Sequence, residues 1–134
     1  MATQDRLCVF IIDDNEMTRS VLRMIIQGDA YDVVGDAANG KSGLERVLKL
    51  RPDVVCLDVL MPDSDGLEVL EQIKQALPQT IVLMVTASND RATVQTALQR
   101  GANGFIVKPF NTGIIVDTLA KAVAMLRAQG TATP

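Results

Sequence analysis

Five short apolar runs lie along the chain, separated by longer segments of mixed polarity. The runs are Leu7–Ile12, Tyr31–Val34, Val54–Leu57, Ile81–Val85 and Phe105–Val107. Apart from the second, they are nearly continuous in Val, Ile, Leu and Phe, which is typical of strands covered on both faces. The second run is the most polar, which favours a position near a sheet edge. The pattern therefore predicts five strands.

The segments between these runs carry apolar residues three or four positions apart, which predicts amphipathic helices. The predicted buried stripes are Met17–Val21–Ile25, Leu44–Val47–Leu48, Leu67–Leu70–Ile73–Leu77, Val94–Ala97–Leu98 and Ile115–Leu119–Val123–Leu126. We also expect four methionines to pack in the core: Met17, Met24, Met84 and Met125. Glycine and proline residues fall at the junctions between the predicted elements.

Strand and helix thus alternate five times, which requires right-handed crossovers and a parallel sheet with helices on both faces. The predicted fold is a doubly wound, flavodoxin-like α/β fold with strand order 2-1-3-4-5. A chain of 134 residues is about the length of one domain. We place the core of that domain at about residues 7–127 and expect residues 128–134 to be a short polar tail.

The composition excludes several functional classes. The net charge is −3 and only 3% of the residues are aromatic, so a nucleic-acid surface is not expected. Histidine is absent, which excludes Ser-His-Asp catalysis and histidine-ligated zinc. The first apolar run is too short to span a bilayer. Cys8 and Cys56 would lie three residues out of register on adjacent strands, which is too far apart for a disulfide. We therefore expect a cytoplasmic protein with reduced cysteines and no membrane insertion.

Polar side chains follow the apolar runs at the ends where ligands bind in doubly wound sheets. Asp13 and Asp14 follow the first run, Asp58 the third, Thr86 the fourth and Lys108 the fifth. Two carboxylates about 5 Å apart repel by roughly 3 kcal/mol at an effective dielectric constant near 20. This repulsion favours a compensating cation, and carboxylate oxygens are suitable ligands for Mg²⁺. The pattern therefore indicates a magnesium site in which Asp58 is a nucleophile toward phosphorus, assisted by Thr86 and Lys108.

These residues lie in segments that resemble a known family, the receiver domain of two-component response regulators (the CheY-like group). The matching segments are Ile11–Asn15, Leu57–Pro62 with Asp65–Gly66, Val85–Ala87, and Gly101–Phe105 leading to Lys108–Phe110. The resemblance extends from about Leu7 to Arg127. It implies a signalling module that is phosphorylated and dephosphorylated but does not turn over an external substrate.

The resemblance also implies a role for each site residue. Asp58 would accept a phosphoryl group from a sensor histidine kinase or a histidine phosphotransfer protein. Asp14, Asp58 and the backbone carbonyl of Leu60 would ligate Mg²⁺ directly, with Asp13 acting largely through water. Lys108 and Thr86 would contact the phosphoryl oxygens.

Further implications concern signal output. Thr86 and Phe105 would form a switch pair, and the peptide bond before Pro109 would be cis. The fourth helix, fifth strand and fifth helix would form the surface for a downstream protein target, and the resemblance is compatible with a phosphorylation-dependent homodimer. Arg91 and Arg100 lie on that fourth helix, where a purely solvated face is the alternative interpretation.

Two other functions share this predicted architecture. A flavodoxin-type FMN protein would need a phosphate-binding loop after the first strand, where this chain has two acids. An aspartate-nucleophile phosphatase would carry its nucleophile after the first strand and would need a cap to form a substrate pocket. Colour of the purified protein and turnover of phosphomonoesters would distinguish these alternatives.

Overall fold

The computed structural model describes residues 6–87 and 90–132. The strands are β1 (Leu7–Ile12), β2 (Tyr31–Ala37), β3 (Val54–Leu57), β4 (Leu60–Met61), β5 (Ser64–Asp65), β6 (Ile81–Thr86) and β7 (Gly104–Val107). The helices are α1 (Glu16–Ile26), α2 (Gly40–Leu50), α3 (Gly66–Ala76), α4 (Arg91–Gln99) and α5 (Thr112–Ala132). Five strands form one parallel sheet in the order β2-β1-β3-β6-β7. The predicted flavodoxin-like α/β fold is therefore confirmed.

Two strand features were not predicted. β2 lies at a sheet edge as expected, but it continues past Val34 to Ala37. β4 and β5 form a small antiparallel hairpin in which Leu60 pairs with Asp65. Paired segments of two residues are too short to give a period in the sequence, so apolar patterning could not reveal this hairpin.

Successive strand residues point to opposite faces of the sheet and enter two separate hydrophobic clusters. On one face, Val9 and Ile11 pack with residues of α1 and α5. On the other face, Phe10 and Ile12 pack with residues of α2, α3 and α4. Fully burying one such side chain contributes about 1.5–3 kcal/mol. Burial on both faces explains why the strands are nearly continuously apolar.

The buried face of α1 differs from the predicted one. Leu22 and Ile26 are buried, whereas Met17, which began the predicted stripe, is 72% exposed. The inner face of the helix also carries Arg19, whose guanidinium donates a hydrogen bond to the backbone carbonyl of Asp13. Apolar spacing fits either of two adjacent stripes on this helix, and this polar contact lies on the stripe that faces the sheet.

The prediction for the methionines was wrong at three of four positions. Met84 in β6 is fully buried, whereas Met17, Met24 and Met125 are exposed. All three exposed methionines lie on helices that have one face toward solvent, where helical spacing alone does not fix which face is buried. Met84 lies on a central strand that helices cover on both sides.

The C-terminal helix is longer than the predicted core. α5 extends through Ala132, so residues 128–132, which we assigned to a polar tail, continue this helix. Residues 133 and 134 lie outside the described part of the chain. Within residues 6–87 and 90–132, no helix is both long and apolar enough to cross a membrane. Cys8 and Cys56 are both free thiols.

Candidate functional site

Three carboxylates meet at the carboxyl edge of the sheet. Asp13 and Asp14 follow β1 and Asp58 follows β3, and these strands are adjacent, with Ile12 paired to Leu57. One oxygen from each carboxylate lies within 4.8 Å of the others. Asp13 and Asp58 are buried, whereas Asp14 is exposed. The structure therefore brings the three predicted acids together.

Lys108 supplies a positive charge to this cluster. Its Nζ lies 2.9 Å from Oδ2 of Asp13 and 3.4 Å from Oδ2 of Asp58. Burial alone would lower the pKa of the Lys108 ammonium, but the hydrogen bond and charge of Asp13 and the charge of Asp58 outweigh it and raise that pKa. Lys108 is therefore held in its charged form between two acids.

Thr86 is the predicted hydroxyl of the site and lies at the end of β6, 1% exposed. Burial raises the pKa of the Asp58 carboxyl, and the neighbouring charge of Asp13 adds to this effect. Lys108 and a hydrogen bond from the Thr86 hydroxyl act in the opposite direction and lower the pKa. Lys108 and Thr86 therefore both favour the ionised form of the Asp58 carboxyl.

The backbone around Asp58 is held closely against the start of α3. The N–H of Gly66 donates to the carbonyl of Val59 at 2.8 Å. A Cβ atom at Gly66 would collide with the carbonyl oxygen of Asp58, so only glycine permits this approach. The N–H of Leu60 lies 3.3 Å from Oδ1 of Asp58. The Asp58 side chain is thus fixed from the backbone as well as by its neighbours.

An open cavity of about 770 Å³ adjoins the acidic cluster. Asp14 and Leu60 line one part of it, and Thr93 on α4 lines another. Because Asp58 itself is buried, this opening beside Asp14 is the side from which a ligand can approach. Asp14 and Leu60, two of the predicted metal ligands, therefore border the same solvent-filled space.

The predicted switch residue Phe105 lies in β7, paired with Met84, while Thr86 is paired with Val107. Phe105 is half-buried and packs against the hydrophobic cluster that contains Met84. The Lys108–Pro109 peptide bond is cis. Thr86 and Phe105 thus lie on neighbouring strands close to the carboxyl edge.

Two residues that support the site, one directly and one through the other, were not predicted from the sequence. Arg19 donates to the carbonyl of Asp13 at 2.7 Å and forms an ion pair with Asp36 at 3.1 Å. Asp36 lies in the part of β2 beyond its predicted end. An alternating strand pattern through Ala37 was the available signal, because it would have placed Asp36 beside β1.

The donor set fits a magnesium ion. Three carboxylates supply hard oxygen ligands, and the exposed Asp14 faces an open cavity that leaves room for the waters that Mg²⁺ usually retains. Histidine and thiolate ligands, which other metals favour, are absent from this cluster. The chemistry of the ligands therefore agrees with the cation that the sequence predicted.

Comparison with known proteins gives consistent matches across most of the chain. Residues 9–120 match the family model of the response regulator receiver domain. The chemotaxis protein CheY of Listeria monocytogenes is 36% identical over 116 residues, which cover 87% of this chain and 98% of that protein. A protein-glutamate methylesterase/protein-glutamine glutaminase of Trichodesmium erythraeum is 37% identical over 124 residues, covering 90% of this chain but 34% of that protein.

A solved structure agrees with these sequence matches. The signal receiver domain of the putative response regulator NarL from Mycobacterium tuberculosis superposes with a TM-score of 0.82 at 31% identity. The match covers 87% of this chain and 95% of that one. These matches give no support to the flavodoxin-type or phosphatase alternatives.

Proposed function

The chain belongs to the response regulator receiver domain family, and from this premise we propose that Asp58 accepts a phosphoryl group in a magnesium-dependent reaction. The observation that supports Asp58 is its position in the acidic cluster. It is a buried carboxylate that lies 3.4 Å from the Nζ of Lys108, and a hydrogen bond from Thr86 lowers its pKa. Asp13 is paired more closely with Lys108, at 2.9 Å, and Asp14 is exposed.

The proposed transfer is a displacement at phosphorus. An Asp58 carboxylate oxygen attacks the phosphoryl group of a phosphohistidine donor and an O–P bond forms. The P–N bond to the donor imidazole breaks, and its electron pair remains on that nitrogen. The product is an acyl phosphate. The contacts from Lys108 and Thr86 lower the Asp58 pKa and so favour the ionised form that attacks.

Lys108 and Thr86 would also receive the new group. The Lys108 Nζ, 3.4 Å from Asp58, can donate to a phosphoryl oxygen through a charge-assisted hydrogen bond. The Thr86 hydroxyl, whose hydrogen bond lowers the Asp58 pKa, would donate to a phosphoryl oxygen instead. These donors would stabilise negative charge that develops during transfer.

Asp13, Asp14, Asp58 and the backbone carbonyl of Leu60 would hold the Mg²⁺ ion. When bound, the ion would neutralise charge that otherwise repels a phosphoryl group from three carboxylates. Asp14 is the most accessible of the three carboxylates because it borders the open cavity. Asp13 is already paired with Lys108, which agrees with an indirect role through water.

The test uses a small acyl phosphate or phosphoramidate donor with the full chain and Mg²⁺. We expect one phosphoryl group per chain, labile to hydroxylamine, and its complete loss in Asp58→Asn because an amide is a weak nucleophile. Asp117→Asn, which changes an exposed carboxylate on α5, is the matched control and should label normally. Undiminished labelling of Asp58→Asn, read by mass spectrometry, would show that another residue is the acceptor.

The proposed output is a change at the face formed by α4, β7 and α5. Exposed apolar residues lie on all three elements: Leu98, Val107, Ile114 and Val116. Thr86 ends β6, the strand between β3 and β7, and Phe105 lies in β7 itself, so we propose that phosphorylation acts on this face through these two residues. We propose that a downstream protein, or a second phosphorylated copy of the chain, docks there.

The phosphoryl donor would be a sensor histidine kinase or a histidine phosphotransfer protein, since the chain has no histidine of its own. Free thiols at Cys8 and Cys56 suit a reducing compartment, and on this basis we place the protein in the cytoplasm. Receiver domains also occur within longer proteins, such as the methylesterase noted above, whose name denotes an enzyme. For this domain itself we propose signalling without turnover of an external substrate.

A further inference from the structure

We propose that Arg19 is a positioning residue for the metal site, fixing the peptide group between Asp13 and Asp14 and thereby placing the Asp14 carboxylate. This inference rests on the proposed function, since it concerns the same magnesium site. Arg19 lies outside the acidic cluster and outside the segments that carry the family resemblance.

The Asp14 side chain has no anchor of its own. Across the part of the chain that the structure describes, no hydrogen bond or ion pair holds its carboxylate. Asp13 differs, since its Oδ1 accepts the N–H of Asn15 at 2.9 Å and its Oδ2 contacts Lys108. The location of the Asp14 oxygens is therefore set by the backbone on which the residue sits.

Arg19 holds that backbone. Its Nη1 donates to the carbonyl oxygen of Asp13 at 2.7 Å, and this carbonyl belongs to the peptide group that joins Asp13 to Asp14. Its Nε donates to Oδ2 of Asp36 at 3.1 Å. The Arg19 side chain is only 15% exposed. A planar guanidinium with two fixed bonds cannot rotate freely, so it holds the peptide in one orientation.

Arg23 provides a natural comparison. It lies one turn later on α1 and also pairs with Asp36, at 3.6 Å from Nη2 to Oδ1. Its other hydrogen bond goes to the carbonyl of Val33 at 3.4 Å. Arg23 therefore shares the residue type, helix and acidic partner of Arg19, but neither of its bonds reaches Asp13.

The test is calorimetric titration of the full chain with MgCl₂, without a phosphoryl donor. Arg19→Met should weaken Mg²⁺ binding on the order of tenfold, as is usual when a group that orients a metal ligand is lost. Arg23→Met, the matched control, should change the affinity less than about twofold, since it removes a partly exposed ion pair and a bond to Val33, neither of which reaches Asp13. Arg19→Lys should be intermediate, because one ammonium cannot reproduce both bonds.

A second readout separates positioning from general damage. At saturating Mg²⁺, Arg19→Met should label at Asp58 at the wild-type rate, because only metal affinity has changed. Should Arg19→Met fail to fold, Asp36→Asn replaces it, since this change weakens the contact that orients the Arg19 guanidinium. Asp36→Asn should weaken Mg²⁺ binding by less than the tenfold expected for Arg19→Met, but by more than Arg23→Met does.

Wild-type Mg²⁺ affinity in the folded Arg19 or Asp36 variant would overturn the role of Arg19 and leave the metal site intact. Equal losses in Arg19→Met and Arg23→Met would overturn it as well, since the effect would then not depend on the Asp13 contact. Absence of Mg²⁺ binding by the wild-type chain would instead remove the proposed magnesium site itself.

Discussion

The two edges of the central sheet both bury polar side chains, but these side chains have different partners. At the carboxyl edge, the side chains of Asp13, Asp58 and Lys108 contact one another. At the amino edge, polar side chains contact mainly the backbone. The Thr80 hydroxyl donates to the carbonyl of Pro52 at 3.0 Å.

Three more contacts at the amino edge also join a side chain to a backbone group. An Asp53 carboxylate oxygen accepts the N–H of Cys8 at 2.7 Å, and the Asn103 amide oxygen accepts the N–H of Val82 at 2.9 Å. Lys74 on α3 donates to the carbonyl of Thr80 at 2.7 Å. Each of these bonds fixes a strand end or a connection next to it.

The difference lies in the kind of partner and not in whether one is present. Among the described residues, every buried side-chain nitrogen and oxygen has a hydrogen-bond partner. A bond to the backbone is lost only if the strand end moves, and such bonds stabilise the fold. A bond between Lys108 and a carboxylate can be exchanged for a bond to an ion or a phosphoryl group. The contacts at the amino edge therefore stabilise the fold, and those at the carboxyl edge suit the chemistry that we propose.

The largest effect on stability is expected for Lys74→Met at the amino edge. Lys74 is half-buried and its Nζ also lies 3.1 Å from the Asn103 amide oxygen, so the change removes two bonds from a charged group. We expect a loss of about 2–3 kcal/mol in the free energy of unfolding, since bonds of this kind contribute about 1.5–3 kcal/mol. Urea unfolding measures it.

The control for Lys74 is Lys121→Met, which removes an exposed ion pair with Asp117 and should change stability by less than about 0.5 kcal/mol. Phosphoryl labelling at Asp58 should be normal in both lysine variants. Reduced labelling of folded Lys74→Met at saturating Mg²⁺ would mean that the two edges are not separate in function.

A smaller effect is expected from pH at the carboxyl edge. Burial and the charge of Asp13 raise the Asp58 pKa above its ordinary value, so the folded state binds more protons than the unfolded state between those two pKa values. The stability of the metal-free protein should therefore fall as pH rises through that window. Asp58→Asn should remove this fall, because an amide does not titrate.

Unfolding curves recorded in a chelator across that acidic range, for wild type and Asp58→Asn, provide the measurement. The free energy of unfolding of Asp58→Asn, minus that of the wild type, should increase as pH rises and then become constant above the raised Asp58 pKa. Asp53→Asn, which makes the same substitution just before β3 at the amino edge, is the control. A wild-type curve that gains stability relative to Asp58→Asn over this window would contradict the assigned cause of the shift.

Much of this arrangement could be predicted from the sequence because it follows strand order. Apolar runs located the five sheet strands, and parallel strands place the residues that follow them at one edge, which brought Asp13, Asp58 and Lys108 together. The amino edge was not predicted. Its contacts join side chains to backbone groups, and backbone groups carry no sequence signal.

The missed parts of the site have the same origin. Arg19 and Asp36 meet because α1 has a particular rotation and β2 continues to Ala37, and apolar spacing determined neither. The exposed Met17 shows this directly, since the stripe that began with it fitted the helical period equally well. The predicted ends of the four strands that carry the site lie within one residue of the observed ends, whereas the rotation of a helix depends on packing.

The smallest effects concern two buried threonines at opposite ends of the same strand. Thr80 immediately precedes β6 and donates to a backbone carbonyl, whereas Thr86 ends β6 and lowers the pKa of the Asp58 carboxyl through a hydrogen bond. Thr80→Val should cost about 1–2 kcal/mol of stability, because it leaves the Pro52 carbonyl buried without that donor. Thr86→Val should cost less stability, because Lys108 still contacts Asp58.

The signalling response should show the opposite ranking. Adding beryllofluoride and Mg²⁺ mimics the phosphoryl group, and amide NMR shifts in α4 report whether the change reaches the output face. Thr86→Val should reduce the population of the responding state by roughly fivefold, about 1 kcal/mol of coupling between the sites. Thr80→Val should respond as wild type. If α4 responds equally in both variants, the Thr86 hydroxyl does not carry the signal, and the carboxyl edge must act on α4 through the backbone that follows β6.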